Sequence, residues 1–131
     1  MPVEGVNTIT LVATDECGLA DTSYTNEDVQ LNSPPSASCP GDTTMFMCAT
    51  GQICLAGFAA TDVDDNITSQ TVSLGTLSNG TVCFTPVEGV NTITYTVTDA
   101  CGETDQCVTN VTVGLNEPPT ASCPGDTTIF L

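Results

Sequence analysis

From Asn91 to Thr98 the chain alternates without a break: Ile93, Tyr95 and Val97 lie between Thr92, Thr94, Thr96 and Thr98. A period of two is that of a strand with one face buried. The pattern recurs upstream, where Ile9, Leu11 and Ala13 take the apolar positions. Shorter runs predict strands at Thr43–Met47, Gln52–Phe58, Ile67–Leu74, Thr81–Phe84 and Gln106–Leu115. Gly, Pro, Asn and Asp punctuate them at short intervals. No helix-length segment carries a 3.6-residue period, and the abundant Thr suits strand surfaces. The pattern therefore predicts an all-β chain. Some six or seven short strands per unit suggest a two-sheet sandwich.

The alternating stretch is duplicated. PVEGVNTITLVATDECG at Pro2–Gly18 returns as PVEGVNTITYTVTDACG at Pro86–Gly102. PPSASCPGDTTMF at Pro34–Phe46 returns as PPTASCPGDTTIF at Pro118–Phe130. Both pairs are offset by 84 residues (86 − 2 and 118 − 34). Over Pro2–Met47 against Pro86–Leu131, 30 of 46 positions are identical without a gap. One fixed period means tandem repeats. The double prolines at Pro34–Pro35 and Pro118–Pro119 are stiff and break strand pairing, as linkers do. On this cut, residues 1–33 are the C-terminal strands of a preceding repeat, 34–117 a complete repeat, and 118–131 the first strand of a following one. The chain reads as a window on a longer array, with an unfinished domain at each end.

The run Gly89–Asp99, then Cys101-Gly102 and the alternating Thr109–Val113, resembles the penultimate and last strands of bacterial immunoglobulin-like repeats. It is most similar to the hyalin-repeat (HYR) type of large extracellular proteins. The resemblance implies an immunoglobulin-like β-sandwich of 84-residue period. It also implies an extracellular or cell-surface location and a role as spacer, adhesin stalk or filament subunit.

Charge narrows the partners. Sixteen acidic residues and no Lys, Arg or His give a net charge of −16. Such a chain repels phosphate backbones and anionic lipid surfaces. Cations suit its field, or the charge serves only to keep a long secreted polymer soluble. The 40% hydrophobic content is too high for a disordered acidic tail. No apolar run is long enough to span a bilayer as a helix, so membrane insertion is not expected. Without His, Lys or Arg, no Ser–His–Asp or Cys–His arrangement can be built, and an enzyme is not expected.

Eight cysteines in 131 residues, with no His and no CxxC, point to disulfides in an oxidising compartment rather than to zinc. The complete unit holds Cys39, Cys48, Cys54, Cys83, Cys101 and Cys107. Local pairs Cys101–Cys107 and Cys48–Cys54 are open to short-loop closure, and Cys54–Cys83 is a rival for the second. The preceding copy keeps Cys17 but has Ser23 where Cys107 stands. A pairing of Cys101 with Cys123, and of Cys17 with Cys39, would instead staple one unit to the next.

Three further features carry candidate chemistry. Asp62, Asp64, Asp65 and Asn66 offer the hard oxygens that Ca²⁺ uses, or form a polar turn. Asp99 and its counterpart Asp15 end the clearest strand and could join such a site or cap a turn. Asn66-Ile-Thr, Asn79-Gly-Thr and Asn110-Val-Thr are N-glycan acceptor patterns, Asn79-Gly80 reading equally as a hairpin turn. Glu27 and Asp28 replace Val111 and Thr112 in the last strand of the preceding copy. An inward carboxylate is costly, so that strand is expected to fray, to turn outward or to bind a cation. The expected role is an extracellular structural module assembled with copies of itself, including by strand complementation between subunits. The alternative is an adhesin-type module for a carbohydrate or surface receptor, with Ca²⁺ as its cofactor.

Overall fold

The computed structural model describes residues 1–131 and is all-β, with no helix. Strands β1 (Gly5–Thr14) and β2 (Ala20–Val29) form a separate two-stranded ribbon. The remaining nine build one packed body. They are β3 (Ser36–Ser38), β4 (Thr43–Met47), β5 (Ile53–Ala56), β6 (Ala59–Thr61), β7 (Ile67–Val72), β8 (Thr76–Ser78), β9 (Thr81–Phe84), β10 (Gly89–Asp99) and β11 (Thr104–Leu115). The largest sheet has the order β4-β11-β10-β7, a second has the order β5-β9-β8, and β3 pairs with β6. All pairs are antiparallel except β4 with β11, which is parallel from Thr43 opposite Val111 to Met47 opposite Leu115.

The period-two pattern positions the core. Ile93, Tyr95 and Val97 of β10 and Val111 and Val113 of β11 point to one side. Phe58 and, from β9, Val82 and Phe84 meet them. The arrangement of several sheets around one apolar core is consistent with a β-sandwich. Phe58 sets its ring edge-on to Tyr95 at 5.7 Å. The Tyr95 hydroxyl donates to Gln70 Oε1 at 2.7 Å, and burial pushes its pKa up. The turn from β8 to β9 is Asn79-Gly80, both with positive φ (48° and 72°). That is the two-residue hairpin geometry which Asn-Gly favours. A Cβ on Gly80 would also meet the Phe58 carbonyl oxygen at 2.7 Å.

Strands β4 and β9 fall where the sequence pattern puts them, and β10 and β11 extend a little further. The predicted Gln52–Phe58 strand shortens to β5 because Gly57 takes φ +112°. Strands β3, β6 and β8 are three residues each, too short to show a period.

The cysteines correct both local pairings. Cys54 and Cys83 sit directly opposite on β5 and β9 and are bonded to each other, so Cys48–Cys54 is excluded. Cys107 is bonded to Cys39, 68 residues away. The β10–β11 turn explains why Cys101–Cys107 fails. It closes through Asp99 and Glu103, leaving Cys101 in the turn while Cys107 lies up the strand opposite Tyr95. With Cys39 engaged, the Cys17–Cys39 staple is excluded in this chain too. Cys17, Cys48, Cys101 and Cys123 are exposed thiols, and Cys101 is not bonded to Cys123.

The ribbon copies β10–β11 in local detail. Gly5 opposes Val29 as Gly89 opposes Val113, and each later pair keeps the same offset. The β2 strand does not fray: it runs unbroken through Glu27, which pairs with Asn7 and is exposed. The burial of the two ribbons differs. Ile93 is 0% exposed and its counterpart Ile9 is 59% exposed. Residues 116–131 lie outside any strand and are exposed.

Truncation of these two isoleucines should therefore diverge. In urea unfolding of the dilute chain, Ile93→Ala should cost roughly 2–5 kcal/mol, the range for a fully buried aliphatic. Ile9→Ala should stay within about 0.5 kcal/mol, as exposed positions do.

Candidate functional site

A two-stranded ribbon cannot bury its own apolar face. In the packed body, part of the cover for β10–β11 is the segment Pro34–Met47. Its β3 pairs with β6, and short polar contacts hold the segment onto β11. Ala37 N–H donates to Asp105 Oδ2 at 2.7 Å. Thr109 Oγ1 donates to the Pro40 carbonyl at 2.7 Å. Asn110 N–H donates to Asp42 Oδ1 at 2.8 Å, and its Nδ2 to Asp42 Oδ2 at 3.3 Å. The Cys39–Cys107 bond lies among them, and β4 then pairs along β11. The Asn110 backbone and side-chain donors hold the Asp42 pKa below its ordinary value.

A second clasp holds the strand entry. Asp99 Oδ1 accepts from the N–H groups of Cys101 and Glu103 at 2.9 and 2.8 Å, which shapes the β10–β11 turn. Its Oδ2 accepts from Asn32 Nδ2 at 2.7 Å. Asn32 also donates to Glu103 and accepts from Asn66 Nδ2 at 2.7 Å, while Ser33 N–H donates to Asp64 Oδ2. The residues just before Pro34 are thus tied to the turn of the packed body. Asp99 is 2% exposed. The Asn32 contact, with backbone donors from the turn, holds its pKa down, and burial opposes this. With no Lys, Arg or His in the chain, carboxylates rest on N–H donors instead. Asp15 shapes the β1–β2 turn in the same way, accepting from Cys17 and Leu19.

The acidic knot is partly consumed by these clasps. Asp62 Oδ1 caps its own turn by accepting from Asp64 N–H, Asp65 takes φ 54°, and Asp64 holds Ser33. Asp62 Oδ2 and Asn66 Oδ1 are the buried side-chain oxygens there without a partner. The knot does not gather three acidic side chains into one metal-binding group. Of the three glycan patterns, Asn79 is exposed at its turn. Asn66 Nδ2 and Asn110 Nδ2, the atoms a glycan would occupy, are engaged with Asn32 and Asp42.

On the β1–β2 ribbon the matching face is open. Ile9, Leu11, Ser23, Tyr24 and Thr25 line a surface depression there. Sequence reasoning flagged Asp99 but not Asn32, Asp42, Asp105 or Thr109. The available signal was their identity across the repeat: Asn116, Asp126, Asp21 and Thr25 occupy the counterpart positions.

No protein-family model matches the chain, and no curated protein matches it by sequence.

Asp99 generates a pH prediction. Its folded pKa is depressed, so its stabilising contribution is present above the unfolded carboxyl value of about 3.9 and is lost as pH falls through the folded value. Asn32→Ala should raise the Asp99 pKa toward ordinary, read by carboxyl NMR titration, and should shrink the acid-labile part of stability. An unchanged Asp99 titration would show that Asn32 is not what holds it.

Proposed function

We propose that the chain is an extracellular structural module of immunoglobulin-like type, working in a stalk or filament built from copies of the same unit. The observation that carries this reading is one ribbon present twice in a single chain, buried in one copy and bare in the other. A bare ribbon with Ile9, Leu11 and Val12 more than half exposed is a surface that association would cover. Head-to-tail repetition of such a contact gives an open fibre rather than a closed ring. Two disulfides fit an oxidising environment, and no helix is long and apolar enough to cross a membrane.

The charge of −16 opposes self-association at low ionic strength. Direct imaging of the protein should show unbranched fibres. Their yield should rise between roughly 0.01 and 0.15 M salt, as the screening length falls from about 30 to 8 Å. A protein that stays monomeric at high concentration and physiological salt would overturn the reading.

A further inference from the structure

We infer that the open inner face of the β1–β2 ribbon is a receptor for residues 118–131 of a second copy, seated as residues 34–47 are seated on β10–β11. This rests on the assembly reading above and names its contact. The donor matches: 11 of the 14 residues in 118–131 are identical to those in 34–47, and the other three are conservative (Thr120, Ile129 and Leu131 for Ser36, Met45 and Met47). The receptor matches at the residues that do the holding. Asp105, Thr109 and Asn110 bond the segment in the packed body. Their counterparts on the ribbon are Asp21, Thr25 and Asn26. The opposite partners Ala37, Pro40 and Asp42 return as Ala121, Pro124 and Asp126. Both halves of each of the three clasps are therefore present in every chain.

The ribbons differ on both sides of this division. Tyr95 reaches Phe58 and Gln70, which lie outside the 34–47 segment, and at that position the ribbon has Leu11. Along the track of β4, Val113 and Leu115 return as Val29 and Leu31, whereas Val111, Thr112 and Gly114 return as Glu27, Asp28 and Gln30. Phe130 of the donor therefore meets a side chain where Phe46 packs over Gly114, and Glu27 sits where Val111 is buried. The register is then fixed: Ala121 opposite Asp21, and Thr127–Leu131 parallel to Glu27–Leu31, as Thr43–Met47 runs along Val111–Leu115. In this register Cys123 falls beside Ser23, as Cys39 lies beside Cys107.

The donor comes from another copy because the single chain leaves both partners unengaged: β1 and β2 pair only with each other, and residues 116–131 lie in no strand and are exposed.

The Ser23 position supplies the test. In a chain with Cys17, Cys48 and Cys101 changed to Ser, Ser23→Cys leaves the introduced thiol and that of Cys123 as the two free ones. The variant is oxidised with glutathione disulfide under conditions in which the parent assembles. A mixture of ¹⁴N- and ¹⁵N-labelled protein is mapped by mass spectrometry. The expected product is a mixed-isotope peptide pair bridging positions 23 and 123, with ladders on a non-reducing gel. Ile9→Asp on the receptor face should cut its yield at least tenfold, and Thr10→Asp on the opposite face should leave it unchanged. If the multiple variant does not fold, Ser23→Cys alone is compared with Ser23→Cys/Cys123→Ser. Fibres without a 23–123 bridge overturn this contact and leave the assembly reading standing. Neither fibres nor bridge overturns both. A bridge confined to single chains overturns the second-copy donor.

Discussion

Everything in this molecule depends on covering the inner face of one long β-ribbon. The β10–β11 pair puts Ile93, Tyr95, Val97, Val111 and Val113 on one side, and two strands alone leave that side wet. The rest of the packed body is arranged to close it. Phe58, Val82 and Phe84 approach from across the core, and the 34–47 segment clips along β11. Two disulfides tie this cover down, one from β5 to β9 and one from Cys39 to β11. Such bonds contribute on the order of 2–4 kcal/mol each, which matters where the core is this small.

The absence of cationic side chains shapes how the cover is fixed. A chain of charge −16 cannot use side-chain salt bridges to hold its segments. Carboxylates accept from N–H groups of neighbouring segments instead: Asp105 from Ala37, Asp42 from Asn110, Asp64 from Ser33 and Asp99 from Asn32. Each contact joins residues that are remote in sequence. Asp42 and Asp64 keep their charge at the surface, where it maintains solubility, whereas Asp99 is buried. Binding and repulsion are thus carried by the same residue type, and solution conditions that screen or protonate it shift the balance.

Much of the fold was legible because β10 and β11 alternate over a full strand length, and period two is unambiguous there. The duplication made the ribbon's twin equally legible. Strands of three residues left no pattern to read. The disulfides were legible as a set but not as pairs, because Cys39–Cys107 closes over 68 residues and no local rule selects it. Within the candidate site, Asp99 stood out as a strand-ending acid. Asn32, Asp42 and Asp105 did not, since a polar residue in a loop or strand signals nothing until its remote donor or acceptor is placed. The acidic knot read as a cation site or a polar turn, because ligand chemistry and turn chemistry use the same residues. Here Asp62 and Asp64 bond backbone N–H groups.

The central claim is that the two ribbons are one structure in two states of cover. Hydrogen exchange measured as a function of protein concentration tests it most directly. At dilution, the amides of β10 and β11 should exchange only through global unfolding, and those of β1 and β2 should exchange orders of magnitude faster. As concentration and salt rise, protection should spread to β1, β2 and residues 127–131 together, with little change in β10 and β11. Equal protection of both ribbons in the dilute monomer, or a ribbon that remains unprotected in assembled material, would contradict it.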